Sequence, residues 1–229
     1  MSEPFAQLAI AAAVWILIHP AIAGSSLRGK LASKLGEGPF RGLFALLSLT
    51  SLVCLVLAYR AAPCEPLWST PRALLRLPAT VMPLAFTLFA GAFSVPNPTA
   101  LGAERVLARE SVARGVLRVT RHPFLWSVVL WSGAHLIVNG NLASLLFFGS
   151  LCVTALVGTR DIDRKRERSD PENFARYRAI TSNFPFAAIV SGRNQLVLGE
   201  LLLPAGIGVT LTALLLTFHQ KLFHVAPLP

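Results

Sequence analysis

The sequence predicts an all-α protein, a polytopic transmembrane helical bundle of about six spans with a further helix at the membrane interface. Composition is the first reason: 54% of the 229 residues are hydrophobic and only 14% are charged, whereas soluble domains carry roughly 25% charged residues. Length is the second: apolar runs of about 18 or more residues recur, enough for a helix to cross ~30 Å of hydrocarbon. The chain is therefore predicted to be a single integral membrane domain.

Six apolar runs are predicted to span the membrane. The first follows a short N-terminal segment without the basic residues of a secretory signal, so we expect it to be retained. The fourth and fifth are joined by Asn139-Gly140-Asn141, which is a turn sequence and should place these two helices side by side. The predicted spans cover residues 5–23, 42–59, 77–95, 122–138, 142–159 and 196–218.

Two polar stretches separate the later spans. Residues 96–120 carry arginines at nearly helical intervals, which predicts an amphipathic helix on the membrane surface, with a solvated basic loop as the alternative. Those arginines are Arg105, Arg109, Arg114 and Arg118. Residues 160–178 are interpreted as a charged loop, in which no catalytic group is assigned.

The net charge of +10 is distributed unevenly along the chain. The loops after the first, third and fifth spans hold 17 of the 21 lysines and arginines, so that face is predicted to be cytoplasmic and both termini periplasmic. Membrane topology accounts for the charge, and we expect membrane lipid as a partner and no nucleic acid. The three cysteines contain no Cys-x-x-Cys pair and predict neither a metal site nor a disulfide framework.

Three histidines lie in or at the edge of apolar helices, where an ionisable residue indicates function. They are His19, His122 and His135. His122 and His135 are thirteen residues apart, ~20 Å along a helix, so they cannot bind one metal together. His135 shares a helix face with Trp131, Ser132 and Asn139. A metal or haem on His135 therefore needs a second ligand from another helix.

His19 is the candidate for that ligand. If Arg28 and Arg121 mark the same membrane interface, His19 lies ~13 Å and His135 ~21 Å below it. This estimate mildly favours a pair of His19 with His135 over His19 with His122. Neutral imidazole is a common axial ligand of haem iron, and facing helices are a usual place for such a site. The alternative is that these histidines only form hydrogen bonds between helices, for instance from His135 to a serine or a backbone carbonyl.

Four segments carry a resemblance to a known family. They are residues 35–44, Arg121-His122-Pro123, Trp131 to His135 continuing to Asn139-Gly140, and Thr181 to Phe186 ending in Gly192-Arg193. Together they resemble the NnrU family of bacterial membrane proteins, which is related to the plant 15-cis-zeta-carotene isomerase. The motifs are spread over most of the chain.

The resemblance implies a multi-pass protein of the bacterial inner membrane that binds b-type haem. In the related isomerase, histidines hold the iron, and its redox state gates the cis–trans isomerisation of a polyene. Carried over by position, the ligands are His19 and His135, with His122 near the site or at its cytoplasmic rim. Bacterial members are associated with nitrogen-oxide metabolism and denitrification, which makes nitric oxide a further expected ligand or signal.

Two alternatives come from other classes of protein. Arg121-His122-Pro123 followed by the charged segment and a Phe-Pro also resembles membrane methyltransferases of the isoprenylcysteine type, which use S-adenosylmethionine. Those enzymes typically have two adjacent glutamates, whereas Glu167 and Glu172 are separated here. The other alternative is a non-enzymatic haem-based sensor. Transport is disfavoured, since no predicted span has an acidic residue in its middle.

Overall fold

The computed structural model describes residues 3–23, 25–100, 102–108 and 112–228. Those residues form α-helices and turns, with no β-strand beyond a single bridge between Pro66 and Asn141, which confirms the all-α prediction. The α-helices are α1 (Glu3–Ile18), α2 (Ser26–Leu35), α3 (Glu37–Ala61), α4 (Leu77–Ser94), α5 (Val116–Val119), α6 (Pro123–Asn139), α7 (Leu142–Ser169), α8 (Pro171–Ile180), α9 (Ala187–Val190) and α10 (Leu198–Phe223).

Each predicted span corresponds to an apolar helix. Within the described part of the chain, five helical segments are long and apolar enough to cross a membrane: Glu3–Ile22, Glu37–Ala61, Arg72–Ser94, Leu142–Ser169 and Leu198–Phe223. The fourth predicted span is the shorter apolar helix Pro123–Asn139. The first span ends in a π-helical turn, His19–Ala23, because Pro20 has no N–H to continue the α-helical pattern.

The predicted loop 160–178 is helical. α7 continues without a break to Ser169, and α8 begins at Pro171. Arginine, lysine and glutamate are good helix formers, so charge ends the apolar part of α7 without ending the helix. The Asp170 side chain accepts a hydrogen bond from the Asn173 N–H and caps α8.

The stretch predicted as an interfacial helix has a different structure. Residues 96–120 contain a 3-10 segment, Glu104–Ala108, and the single turn α5, and Arg109 lies outside the described residues. Val116, Leu117 and Val119 are almost completely buried. The apolar side chains of this stretch pack inside the protein, and Gly115 has a positive φ that separates α5 from the preceding chain.

The long helices pack in a simple neighbour order. α1 lies against α3 and α7, α6 lies between α7 and α4, and α10 packs on α4. We call the end where α1 ends and α3 and α6 begin the basic end, because the predicted cytoplasmic loops lie there. At the opposite end, α6 turns into α7 at Gly140.

The loop that follows α3 closes the opposite end. The Trp68 indole N–H and the Thr70 hydroxyl donate to the carbonyl of Ile137, and Thr70 also donates to that of Val138. The backbone N–H groups of Leu67 and Trp68 donate to the Gly140 carbonyl. These bonds satisfy carbonyl groups that the last turn of a helix leaves without partners.

Candidate functional site

A buried ion pair with a histidine lies at the basic end, and we call Arg121, His122 and Asp163 the polar centre. The Arg121 Nη2–H donates to Asp163 Oδ2 at 2.7 Å, and its Nε–H donates to both carboxylate oxygens. His122 Nε2 lies 2.7 Å from Asp163 Oδ1. The side chain of His122 is 0% exposed and that of Arg121 is 8% exposed. One carboxylate thus orients both basic groups.

Two motifs far apart in sequence position the polar centre. His122 immediately precedes α6, and Pro123 takes the first position of that helix, where a missing N–H costs nothing. The Arg121 N–H donates to the Ser182 carbonyl at 2.9 Å, and the Thr120 hydroxyl donates to the Asn183 carbonyl at 2.6 Å. The structure therefore brings Arg121-His122-Pro123 against the Thr181–Phe186 segment.

Asp163 is a site residue that the sequence reasoning missed, since it lies in the segment interpreted as a loop. The sequence feature that could have revealed Asp163 is the regular spacing of buried residues along α7. Leu151, Ala155 and Thr159 are buried one turn apart along α7, and the same four-residue interval leads to Asp163. A helix prediction extended past Thr159 would have placed this acid on the buried face.

The neutral form of His122 is favoured, because its burial lowers the pKa of the imidazole below the usual 6.5 while the hydrogen bond to Asp163 acts in the opposite direction. With Arg121 already balancing Asp163, we assign the proton to Nε2, which then donates to Oδ1. Nδ1 carries the lone pair and has no hydrogen-bond partner among the described residues. The nearby Tyr177 hydroxyl is also buried without a partner in the described part of the chain, and burial raises the pKa of that phenol.

His19 and His135 share one local arrangement. The Nδ1–H of His19 donates to the Trp15 carbonyl at 2.8 Å, and the Nδ1–H of His135 donates to the Trp131 carbonyl at the same distance. Among the described residues, neither Nε2 atom has a hydrogen-bond partner. An Nδ1–H held by a carbonyl fixes the tautomer and leaves Nε2 available, as in many metal-binding histidines.

The two histidines lie towards opposite ends of the bundle. The His19 ring contacts Phe44, near the start of α3, with ring centroids 5.8 Å apart. The His135 ring stacks on Phe148, which in turn contacts Tyr59 near the end of α3. Phe44 and Tyr59 are fifteen residues apart, ~22 Å along a helix.

His19 and His122 therefore share the basic end, while His135 lies near the opposite end. His19 and His135 each present an Nε2 atom that could bind a haem iron, because each Nδ1–H is held by a backbone carbonyl. Whether the two bind one iron as a pair stays a prediction. In the described part of the chain, no three His, Cys, Asp or Glu side chains cluster to hold a metal ion.

Comparison with known proteins identifies the family. The model of the family described as "NnrU protein" matches residues 7–227. The chain belongs to the NnrU family. Two relatives are the chloroplastic 15-cis-zeta-carotene isomerases of Arabidopsis thaliana and Zea mays, each 27% identical over 188 and 190 residues respectively. The matched region is 80% of this chain and 50% of each relative.

The NnrU protein thus spans about half the length of the curated relatives it matches. No solved structure matches it. The family assignment agrees with the resemblance of the four sequence segments, two of which meet at the polar centre. The segment used for the methyltransferase alternative lies partly on the surface, where Glu167 forms an ion pair with Arg178 at 3.1 Å.

Proposed function

We propose that this NnrU protein is a membrane isomerase that converts a cis double bond of an apolar polyene to trans. The observation that carries the proposal is the similarity of 80% of the chain to two proteins named as 15-cis-zeta-carotene isomerases. The bundle of apolar helices supports it, because a polyene dissolved in the bilayer can reach such a protein without crossing water.

The proposal includes b-type haem, with nitric oxide as a potential ligand of its iron. Bound haem would supply an iron whose redox state can change. His19 and His135 are the residues that would hold it, because their Nδ1–H bonds to backbone carbonyls leave both Nε2 atoms free. The polar centre would hold the start of α6 in place and keep a neutral imidazole beneath the basic end.

Spectroscopy tests the haem proposal. The protein is expressed with added haem, purified in detergent and measured oxidised and dithionite-reduced, with and without nitric oxide. We expect a Soret band in the wild type that is lost in at least one of His19→Ala and His135→Ala. The control is His224→Ala, a change at an exposed histidine near the C-terminus, which should retain the band. Loss in both variants would show that the two rings meet in the haem-bound protein. A colourless wild type would contradict the haem proposal.

Isomerase activity is tested separately. Membranes containing the protein are incubated with 15-cis-zeta-carotene under reducing and oxidising conditions, and the cis and trans isomers are separated by liquid chromatography. We expect conversion above that of membranes without the protein, in one redox condition only. Equal isomer ratios with and without the protein would contradict the isomerase proposal, whatever the spectrum shows.

A further inference from the structure

Buried polar groups without partners lie on both helices of the seam between α1 and α3. The indole N–H of Trp15 and the hydroxyl of Ser48 are both buried, and neither has a hydrogen-bond partner among the described residues. Buried polar groups normally have one, because leaving such a group unpaired costs about 1–3 kcal/mol. Two in one helix pair indicate that something outside the described chain satisfies them.

The register of the seam places these two groups at the same level along the helices. α1 and α3 are antiparallel: His19 contacts Phe44 near the start of α3, while Leu8 belongs to the same buried cluster as Leu55. One turn back from His19 along α1 is Trp15, and one turn on from Phe44 along α3 is Ser48. In an antiparallel pair these steps keep the two residues at the same level.

His19 supplies a third group: it lies one helical turn from Trp15, and its ring contacts Phe44, which lies one turn from Ser48. Its ring centroid is 4.6 Å from the Trp15 ring, and its Nε2 carries a lone pair because Nδ1 donates to the Trp15 carbonyl. The π-helical turn begins at this residue, and such turns frequently occur at functional sites. The seam thus offers an obligate donor, an acceptor and a hydroxyl that can act as either.

We propose that, in the haem-free protein, this seam binds a hydroxyl group. A hydroxyl is the smallest group that satisfies all three residues: its oxygen accepts from Trp15 Nε1–H and its proton goes to His19 Nε2 or to Ser48. A carbonyl oxygen would leave the His19 lone pair unpaired. The hydroxyl belongs either to a trapped water molecule or to a membrane-soluble alcohol.

The surroundings suit an alcohol that enters from the bilayer. Leu17, two residues before His19, and Leu43, one residue before Phe44, are exposed, at 61% and 58%. In a membrane-spanning bundle such side chains face lipid tails, so an alcohol could leave its chain in the bilayer while its head enters the seam. The site does not depend on isomerase activity.

Nuclear magnetic resonance of the indole N–H groups tests the site. The chain has four tryptophans, so protein with 15N-labelled indoles in detergent micelles gives four resonances, and Trp15→Phe assigns one of them. Trp68 and Trp126 donate to protein acceptors and serve as internal controls for folding. The protein is titrated with dodecanol and, separately, with dodecane.

For a membrane alcohol, we expect a saturable shift of the Trp15 resonance with dodecanol and none with dodecane. Ser48→Ala should weaken this binding about three- to tenfold, the effect of one neutral hydrogen bond. Ser51→Ala is the matched control, because the Ser51 hydroxyl, one turn along the same seam, already donates to the Ser48 carbonyl. For water, we expect magnetisation transfer from water to the Trp15 N–H and no response to dodecanol.

The protein is expressed and purified without added haem for these measurements, and two results would overturn the proposal. The first is a Trp15 N–H that shows neither transfer from water nor a response to dodecanol. The second is an equal response to dodecane, which would make the site purely apolar.

Discussion

At the scale of single residues, one carboxylate determines the state of two basic side chains. Asp163 accepts hydrogen bonds from both Arg121 and His122, and all three lie where the apolar part of the bundle ends. The neutral imidazole follows from this sharing, since Arg121 already balances the charge of Asp163. Changes at Asp163 and at His122 should therefore affect stability in different ways.

Removing the charge of Asp163 should destabilise the protein strongly. Asp163→Asn leaves Arg121 buried without its counter-charge, and breaking a buried ion pair typically costs about 3 kcal/mol or more. Asp161→Asn is the matched control on the same helix, because its partner Arg164 is 68% exposed and the change should cost below about 1 kcal/mol. Unfolding in mixed detergent micelles, followed by circular dichroism, measures both. Equal losses would contradict the role of the polar centre.

Stability should fall on acidification, and His122 should contribute to this fall. Burial lowers the pKa of the folded imidazole, so below about pH 6.5 the unfolded chain binds a proton that the folded chain does not. The free energy of unfolding then decreases as the pH falls from about 7 towards the folded pKa. His122→Gln, whose amide can still donate to Asp163, should show a shallower decrease between about pH 7 and pH 5 than the wild type. An unchanged slope would show that His122 does not titrate in this way.

At the scale of helices, close approach is possible only where a glycine permits it. A Cβ at Gly208 on α10 would lie 2.6 Å from the backbone nitrogen of Thr87 and 2.9 Å from the carbonyl oxygen of Pro83, both on α4. Gly206, half a turn away, has nothing within 4 Å. The two glycines thus face a helix contact and an open surface.

Gly208→Ala should force α4 and α10 apart. Because the clash is with backbone atoms, which cannot rotate away, we expect a loss of about 2–3 kcal/mol in the free energy of unfolding. Gly206→Ala should be neutral or stabilising by up to about 1 kcal/mol, since alanine is the better helix former. Thermal unfolding of the two variants side by side measures the difference. A loss of the same size in both would show that helix propensity, not packing, sets the effect.

Sequence patterns predicted the helices better than they predicted the connections. Apolar runs locate every long helix, because ~20 apolar residues have few alternatives in a membrane protein. The stretch from 96 to 120 was not predictable in this way: its arginines suggested a surface helix, whereas Val116 and Leu117 are buried. Which surface covers an apolar residue is decided by tertiary packing. The hydrogen bond between His122 and Asp163 joins residues 41 positions apart, and no local pattern reports it.

At the scale of the whole molecule, charge predicts the orientation in the membrane. If the basic end is cytoplasmic, the loop after α3 is periplasmic, and Cys64, which is exposed there, should react with a membrane-impermeant maleimide in intact cells. The measurement uses the Cys54→Ser, Cys152→Ser background. In the same background with Cys64→Ser, a cysteine introduced at Ser169 should react only after the cells are opened. The reverse pattern would invert the predicted topology.

The length of α6 has a consequence for the bilayer around the protein. Its 17 residues extend over only ~25 Å, less than the ~30 Å of hydrocarbon that the neighbouring helices can cross. A short helix normally thins the surrounding bilayer or exposes carbonyl groups to lipid. Here Trp68 and Thr70 cover the last turn. The loop thus covers carbonyl groups at the end of α6 that a short helix would otherwise leave to the lipid.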